Sequence, residues 1–106
     1  MKTKRIYISI PITGREDTIF ERNELAKKEV KELGYEYVSP IDNNDVCEED
    51  LKNHTNLEKT AIYMGEDIED LITCDSIYLC QGWENSRGCQ IEKFVAEKFN
   101  KEILEQ

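Results

Sequence analysis

No apolar run in this sequence approaches the roughly 18 residues that a membrane-spanning helix needs. Basic residues are also scarce. There are 14 Lys+Arg against 23 Asp+Glu, a net charge of -9. A surface that grips DNA or RNA normally carries a basic excess, so a nucleic-acid polymer is not the expected partner. Cys47, Cys74, Cys80 and Cys89 form no C-x-x-C pair, and the single His54 lies near none of them. A zinc site is therefore not expected, and free thiols in a reducing cytoplasm are the simpler reading. Neither a P-loop nor a G-x-G-x-x-G is present, which removes the usual triphosphate and dinucleotide motifs. The basic start, Met1 to Arg5, precedes only a short apolar stretch interrupted by Ser9 and Pro11, with no small-residue cleavage site, so no signal peptide is read.

What remains is a chain of 106 residues, enough for one economical core and one expected domain over 1–106. Charged residues make up 35%, above the average of about 25%, so the surface is heavily solvated. Arg5 to Ile10 is β-branched and aromatic and ends at Pro11, as a strand does. Thr13-Gly14-Arg15-Glu16 has the spacing of a helix capping box. Ile19, Ala26, Val30 and Leu33 then recur at helical spacing, with Leu25 on the flank, until Gly34. Tyr35 to Val38 reads as a second strand closed by Ser39-Pro40. Residues 41 to about 58 are polar and read as a long loop.

Ala61, Met64, Gly65, Ile68, Leu71 and Ile72 mark a second helix. Ser76 to Cys80 is nearly continuous apolar, the signature of a strand covered on both faces. Ile91, Phe94, Val95 and Phe99 mark a third helix, and Glu102 to Leu104 a short last strand. Strict β-α alternation predicts a flavodoxin-like three-layer α/β sandwich with a four-stranded parallel sheet, order 2-1-3-4. In such sheets ligands sit beyond the carboxyl ends of the strands at the switch point. The loops after Ile10 and Cys80 should therefore face one crevice.

Several residues fall where that crevice should be. Glu92, one turn into the third helix, could attack an electrophilic carbon, or be a surface glutamate near a helix N-terminus. Asp67 borders the buried face of the second helix and could share a proton with Glu92, or simply face solvent in an acidic helix. Tyr7 could orient a carboxylate or pack in the core. Trp83 could stack on a planar base or anchor its loop. Thr13, Gly14 and Arg15 could grip a phosphate, although Glu16 and Asp17 favour the capping role. Ser86 or Asn85 could cap the third helix. Gly88 would allow a close approach. An FMN-binding or receiver-like domain would need a hydroxyl-rich or acidic loop after strand one, and only Ser9 and Thr13 are there.

Four segments together resemble the nucleoside 2-deoxyribosyltransferase family and its relatives that hydrolyse the N-glycosidic bond of nucleotides. Ile6-Tyr7-Ile8-Ser9 is similar to the first strand with its active-site tyrosine. Val38-Ser39-Pro40-Ile41-Asp42 is similar to the segment after strand two. Asp67-Ile68, with Leu71 and Asp75, is similar to the helix with a substrate-binding aspartate. Ser86-Arg87-Gly88-(x)3-Glu92 is similar to the D-x-G-x-x-x-E motif. The resemblance implies Glu92 as nucleophile, Tyr7 as its orienting group, and Asp67 as a base contact or proton donor. It implies substrate contacts from Ser9, Thr13, Arg15, Trp83, Asn85, Ser86 and Gly88. It also implies a small nucleoside or nucleotide partner, no cofactor and no metal, and a homo-oligomer. Two departures stand out. Ser86 replaces the motif aspartate, and the C-terminal element that completes the longer transferases' sites is not evident after strand four.

Overall fold

The computed structural model describes residues 4–12, 14–42 and 53–106. The elements follow in chain order: β1 (Arg5–Ser9), α1 (Ile19–Glu32), β2 (Glu36–Val38), α2 (Asn56–Ile72), β3 (Ser76–Leu79), α3 (Arg87–Lys98) and β4 (Glu102–Glu105). Short 3-10 turns, Glu16–Thr18 and Trp83–Asn85, precede α1 and α3. All strand pairs are parallel and the order is 2-1-3-4, as the alternation predicts. Tyr7 pairs with Val38 on one side and Ile77 on the other.

Side chains alternate across a strand, so β1 divides its residues between two cores. Ile6, Ile8 and Ile10 pack with Ala26 and Val30 of α1. Tyr7 faces the opposite layer, with Leu71 of α2, Ala96 of α3, and Ile77 and Leu79 of β3. Helices thus cover both faces of the sheet, and Ile6, Ile8, Ile77 and Leu79 are fully buried. Ser9, two residues beyond Tyr7, shares its layer with Tyr7 and is also fully buried. Asp75 ties the start of β1 to the α2–β3 turn by accepting the Arg5 amide at 2.9 Å.

The helices form where their spacing predicts, but two faces differ from expectation. On α1, Ala26 and Val30 are buried as expected, whereas Leu25 and Leu33 are exposed and Asn23 takes a core position. On α3 the inward residues are Cys89, Glu92 and Ala96. Ile91, Phe94 and Phe99 lie exposed. Glu92 hydrogen-bonds into the sheet and so turns this helix by about one position. The α2 helix begins at Asn56, inside the expected loop, because Thr55 caps it by accepting the Glu58 amide. Residues 43–52 of that expected loop lie outside the described residues, as does Cys47. Among the described residues, no helix is long and apolar enough to cross a membrane.

Candidate active site

The carboxyl ends of β1 and β3 meet as the topology requires. Arg15, in the loop after β1, donates from Nη1 to the carbonyl of Gln81 in the loop after β3 at 3.1 Å. Its guanidinium lies against Gly82, in the space that a Cβ would fill. Gly82 has φ +91, a conformation that L side chains rarely adopt, so glycine serves two needs here.

Glu92 is 5% exposed and its carboxylate is held at both oxygens. Tyr7 donates its phenol to Oε2 at 2.6 Å and Ser9 donates its hydroxyl to Oε1 at 2.7 Å. The pleat that places Tyr7 and Ser9, two residues apart, on one face of β1 spaces the two donors for one carboxylate. Burial pushes the Glu92 carboxyl up to about 7, against the opposing pull of Tyr7 and Ser9, and Asp67 adds to the rise. The Tyr7 phenol is driven far up by burial and then by Glu92 and Asp67, so it stays a donor. Asp67 rises to about 6, through burial and then Asp70 and Glu66.

Glu92 and Asp67 line the same cavity, of about 510 Å³. Its apolar walls are Ile12, Pro40, Ile41 and Met64, and its polar lining includes Thr60, Tyr63 and Ser86. On α2, Thr60, Tyr63, Met64 and Asp67 follow helical spacing and form a single wall. A second cavity, of about 790 Å³, shares Thr60, Met64, Ser86 and Gly88 with the first. It adds Arg15, Asn85 and Arg87 at the N-terminus of α3. The two cavities therefore form one crevice, acidic and apolar at one end and carrying two arginines at the other.

The structure brings together most of the residues singled out from sequence. Glu92, Tyr7, Ser9 and Asp67 converge, and Ser86, Gly88, Asn85 and Arg15 line the crevice. Ser86 caps α3, its hydroxyl accepting the Cys89 amide at 3.3 Å. Trp83 lines neither cavity. Its indole donates to Glu105 at 2.9 Å, Lys93 sits 5.5 Å above the ring, and it packs against the α2/α3-side core. These contacts fit a loop anchor, one of the two roles open to it. Thr13 lies outside the described residues. Glu16 accepts the Gly14 amide at 3.0 Å, and among the described residues no side chain caps the turn that begins there.

Sequence reasoning missed Tyr63, Thr60 and Arg87. The first two were legible as neighbours of Asp67 at i−4 and i−7 on one helix face. Cys74, Cys80 and Cys89 are free and buried. No group of three or more His, Cys, Asp or Glu residues that could hold a metal ion occurs among the described residues.

No curated protein sequence matches the chain. Its fold recurs in several solved structures, among them the following three. A 2-deoxyribosyltransferase from Leishmania mexicana is 19% identical with a TM-score of 0.67, and the alignment covers 96% of this chain and 63% of that one. A 2-deoxyribosyltransferase from Bacillus psychrosaccharolyticus is 16% identical with a TM-score of 0.68, covering 95% and 70%. A CMP N-glycosidase from Clostridium botulinum is 19% identical with a TM-score of 0.56, covering 96% and 67%. This chain thus spans under two thirds of the length of the Leishmania enzyme. At the level of sequence the match runs nearly end to end: residues 4–105 fit the family described as a domain of unknown function, DUF4406, and the chain belongs to that family.

Proposed function

We propose that the crevice binds a (deoxy)nucleoside or nucleoside 5′-monophosphate and that Glu92 cleaves its N-glycosidic bond. The observation that carries this reading is the Glu92 carboxylate, buried at the cavity floor with a donor on each oxygen and Asp67 lining the same cavity. Both hydrogen bonds favour its ionised form, and Tyr7 and Ser9 fix its direction. In the first step the C1′–N bond breaks and a C1′–O bond to Glu92 forms. The base leaves with a proton from Asp67. Water or a second base then displaces Glu92 from C1′, giving hydrolysis or transfer, as in retaining glycoside chemistry.

The productive form has Glu92 ionised and Asp67 protonated. With the Glu92 carboxyl raised to about 7 and that of Asp67 to about 6, that form is a minority one, most populated between the two, so the rate should follow a narrow bell. Arg15 and Arg87 beside the α3 N-terminus support a phosphate at the far end of the crevice. The apolar walls and Tyr63 support a planar base near Asp67. The exposed Leu57 and Ile91 on the crevice rim, and Phe94 on α3, support a second copy of the chain docking there.

A second reading is a module that holds such a ligand without cleaving it. It is favoured by Ser86, which spends its side chain on capping α3 and supplies no acid. The test is chromatography of the common nucleosides and 5′-monophosphates, deoxy and ribo, with and without an acceptor base. Free base that disappears with Glu92→Gln supports cleavage. Ligand binding without turnover, unchanged in that variant, supports the module.

A further inference from the structure

We propose that Asn23, Ser39 and Asp42 form a positioning device that sets one wall of the ligand crevice. The inference rests on the crevice being the ligand site proposed above. Asn23 occupies a core position on α1, in line with Ala26 and Val30, and is 1% exposed. Asparagine in a helix interior is a weaker helix former than the alanine or leucine that such a position ordinarily takes. Its amide is spent on the segment after β2. Asn23 Oδ1 accepts the Ser39 hydroxyl at 2.6 Å and Nδ2 donates to Asp42 Oδ1 at 3.0 Å. Lys27, one turn further along α1, holds the other Asp42 oxygen at 2.9 Å.

Ser39 and Asp42 are the two ends of a tight turn. The Asp42 amide donates to the Ser39 carbonyl at 3.1 Å, and the Ile41 amide donates to the Ser39 hydroxyl at 3.2 Å. The two central residues of that turn, Pro40 and Ile41, line the cavity that contains Glu92 and Asp67. The side chains of both turn ends are therefore clamped to α1 from the opposite face of the sheet, and the cavity wall is the part held between the clamps. Glu92 is held independently, by Tyr7 and Ser9 of β1. Loosening the clamp should weaken binding of substrate and transition state alike, which raises KM and spares kcat.

Asn23→Leu frees both turn ends from its amide; Ser39→Ala frees one end and also takes the acceptor from the Ile41 amide, so in that variant the Asp42 amide is the exchange readout. Two readouts apply to each. Amide exchange by NMR on the ligand-free protein should rise at least 10-fold at Ile41 and Asp42 while β1 and β3 amides keep their protection. The Kd or KM of the best ligand from the nucleoside and monophosphate panel should rise about 5–20-fold, with kcat within about twofold. Unchanged exchange at Ile41 and Asp42 overturns the clamp. So does a uniform rise across the sheet, or a fall in kcat at constant KM, since these mean that Asn23 serves general stability. Local loosening with unchanged Kd overturns the link to the crevice. If Asn23→Leu does not fold, Ser39→Ala decides. If the wild-type protein binds nothing in the panel, the proposed function fails, and the exchange data still decide whether the clamp exists.

Discussion

Replacing Glu92 by glutamine should make the protein more stable, and only above a defined pH. The carboxyl is buried, so folding favours its neutral form and lifts it from an ordinary value of 4.5 to about 7. Because the folded value is raised, the contribution of this group to stability is fully present below about pH 4.5. It is lost as pH rises through about 7. Above that the folded protein carries an ionised group that prefers water. The shift corresponds to about 3 kcal/mol at pH 8. Glutamine has nearly the same shape, still accepts from Tyr7 and never ionises.

Thermal unfolding of both proteins should therefore give similar midpoints near pH 4 and diverge above pH 5. At pH 8 the variant should lead by roughly 10–20 °C for a domain of this size. The other acidic groups of this chain titrate in both proteins and cancel in the difference. Parallel curves, or a variant less stable at every pH, would refute the reasoning: Glu92 would then be held ionised by its partners and not strained by burial. A gain confined to high pH would mark a residue kept at a cost to stability.

Four further outcomes follow from the same geometry. Tyr7→Phe removes a donor from a buried carboxylate, so it should cut kcat about 10–100-fold and move the alkaline limb of the pH–rate profile upward; an unmoved limb would show that Tyr7 does not act through Glu92. Asp67→Asn should cost about 10²–10⁴-fold on ordinary bases, and far less on an N7-methylated purine, which departs without needing a proton; equal losses on both would exclude Asp67 as the acid. Arg15→Ala and Arg87→Ala should raise KM about 10-fold for monophosphates and leave nucleosides unaffected, as steady-state kinetics with both substrate classes would show. Light scattering should give a mass above the 12.4 kDa of one chain, and a monomer would remove the proposed second copy.

The sheet order was legible because the β-α alternation leaves few topologies, and the crevice followed from it. Tyr7, Asp67 and Glu92 each have an ordinary structural alternative, and only the resemblance of the segments that carry them suggested a set. The inward face of α3 was not legible. A hydrophobicity count turns Ile91 and Phe94 inward, whereas the two hydrogen bonds from β1 turn Glu92 inward instead. Asn23 was missed for a related reason. A polar residue at a helix position in line with Ala26 and Val30 reads as an interruption until its partners, Ser39 and Asp42, are seen in space. Trp83 is the converse case. Its loop position suits stacking on a ligand, but Glu105 and Lys93, distant in sequence, already occupy its polar edge and its face.

The most direct test of the account is to trap the intermediate. The protein would be mixed with an accepted nucleoside whose sugar carries fluorine at C2′, which slows release of the glycosyl group more than its capture, and the intact and digested mass would be read. A mass increase equal to the fluorinated sugar, located on Glu92 and absent from Glu92→Gln, is the predicted result. Base release by the unmodified substrate that persists in Glu92→Gln, or an adduct on any other residue, would contradict the assignment of Glu92 as the nucleophile.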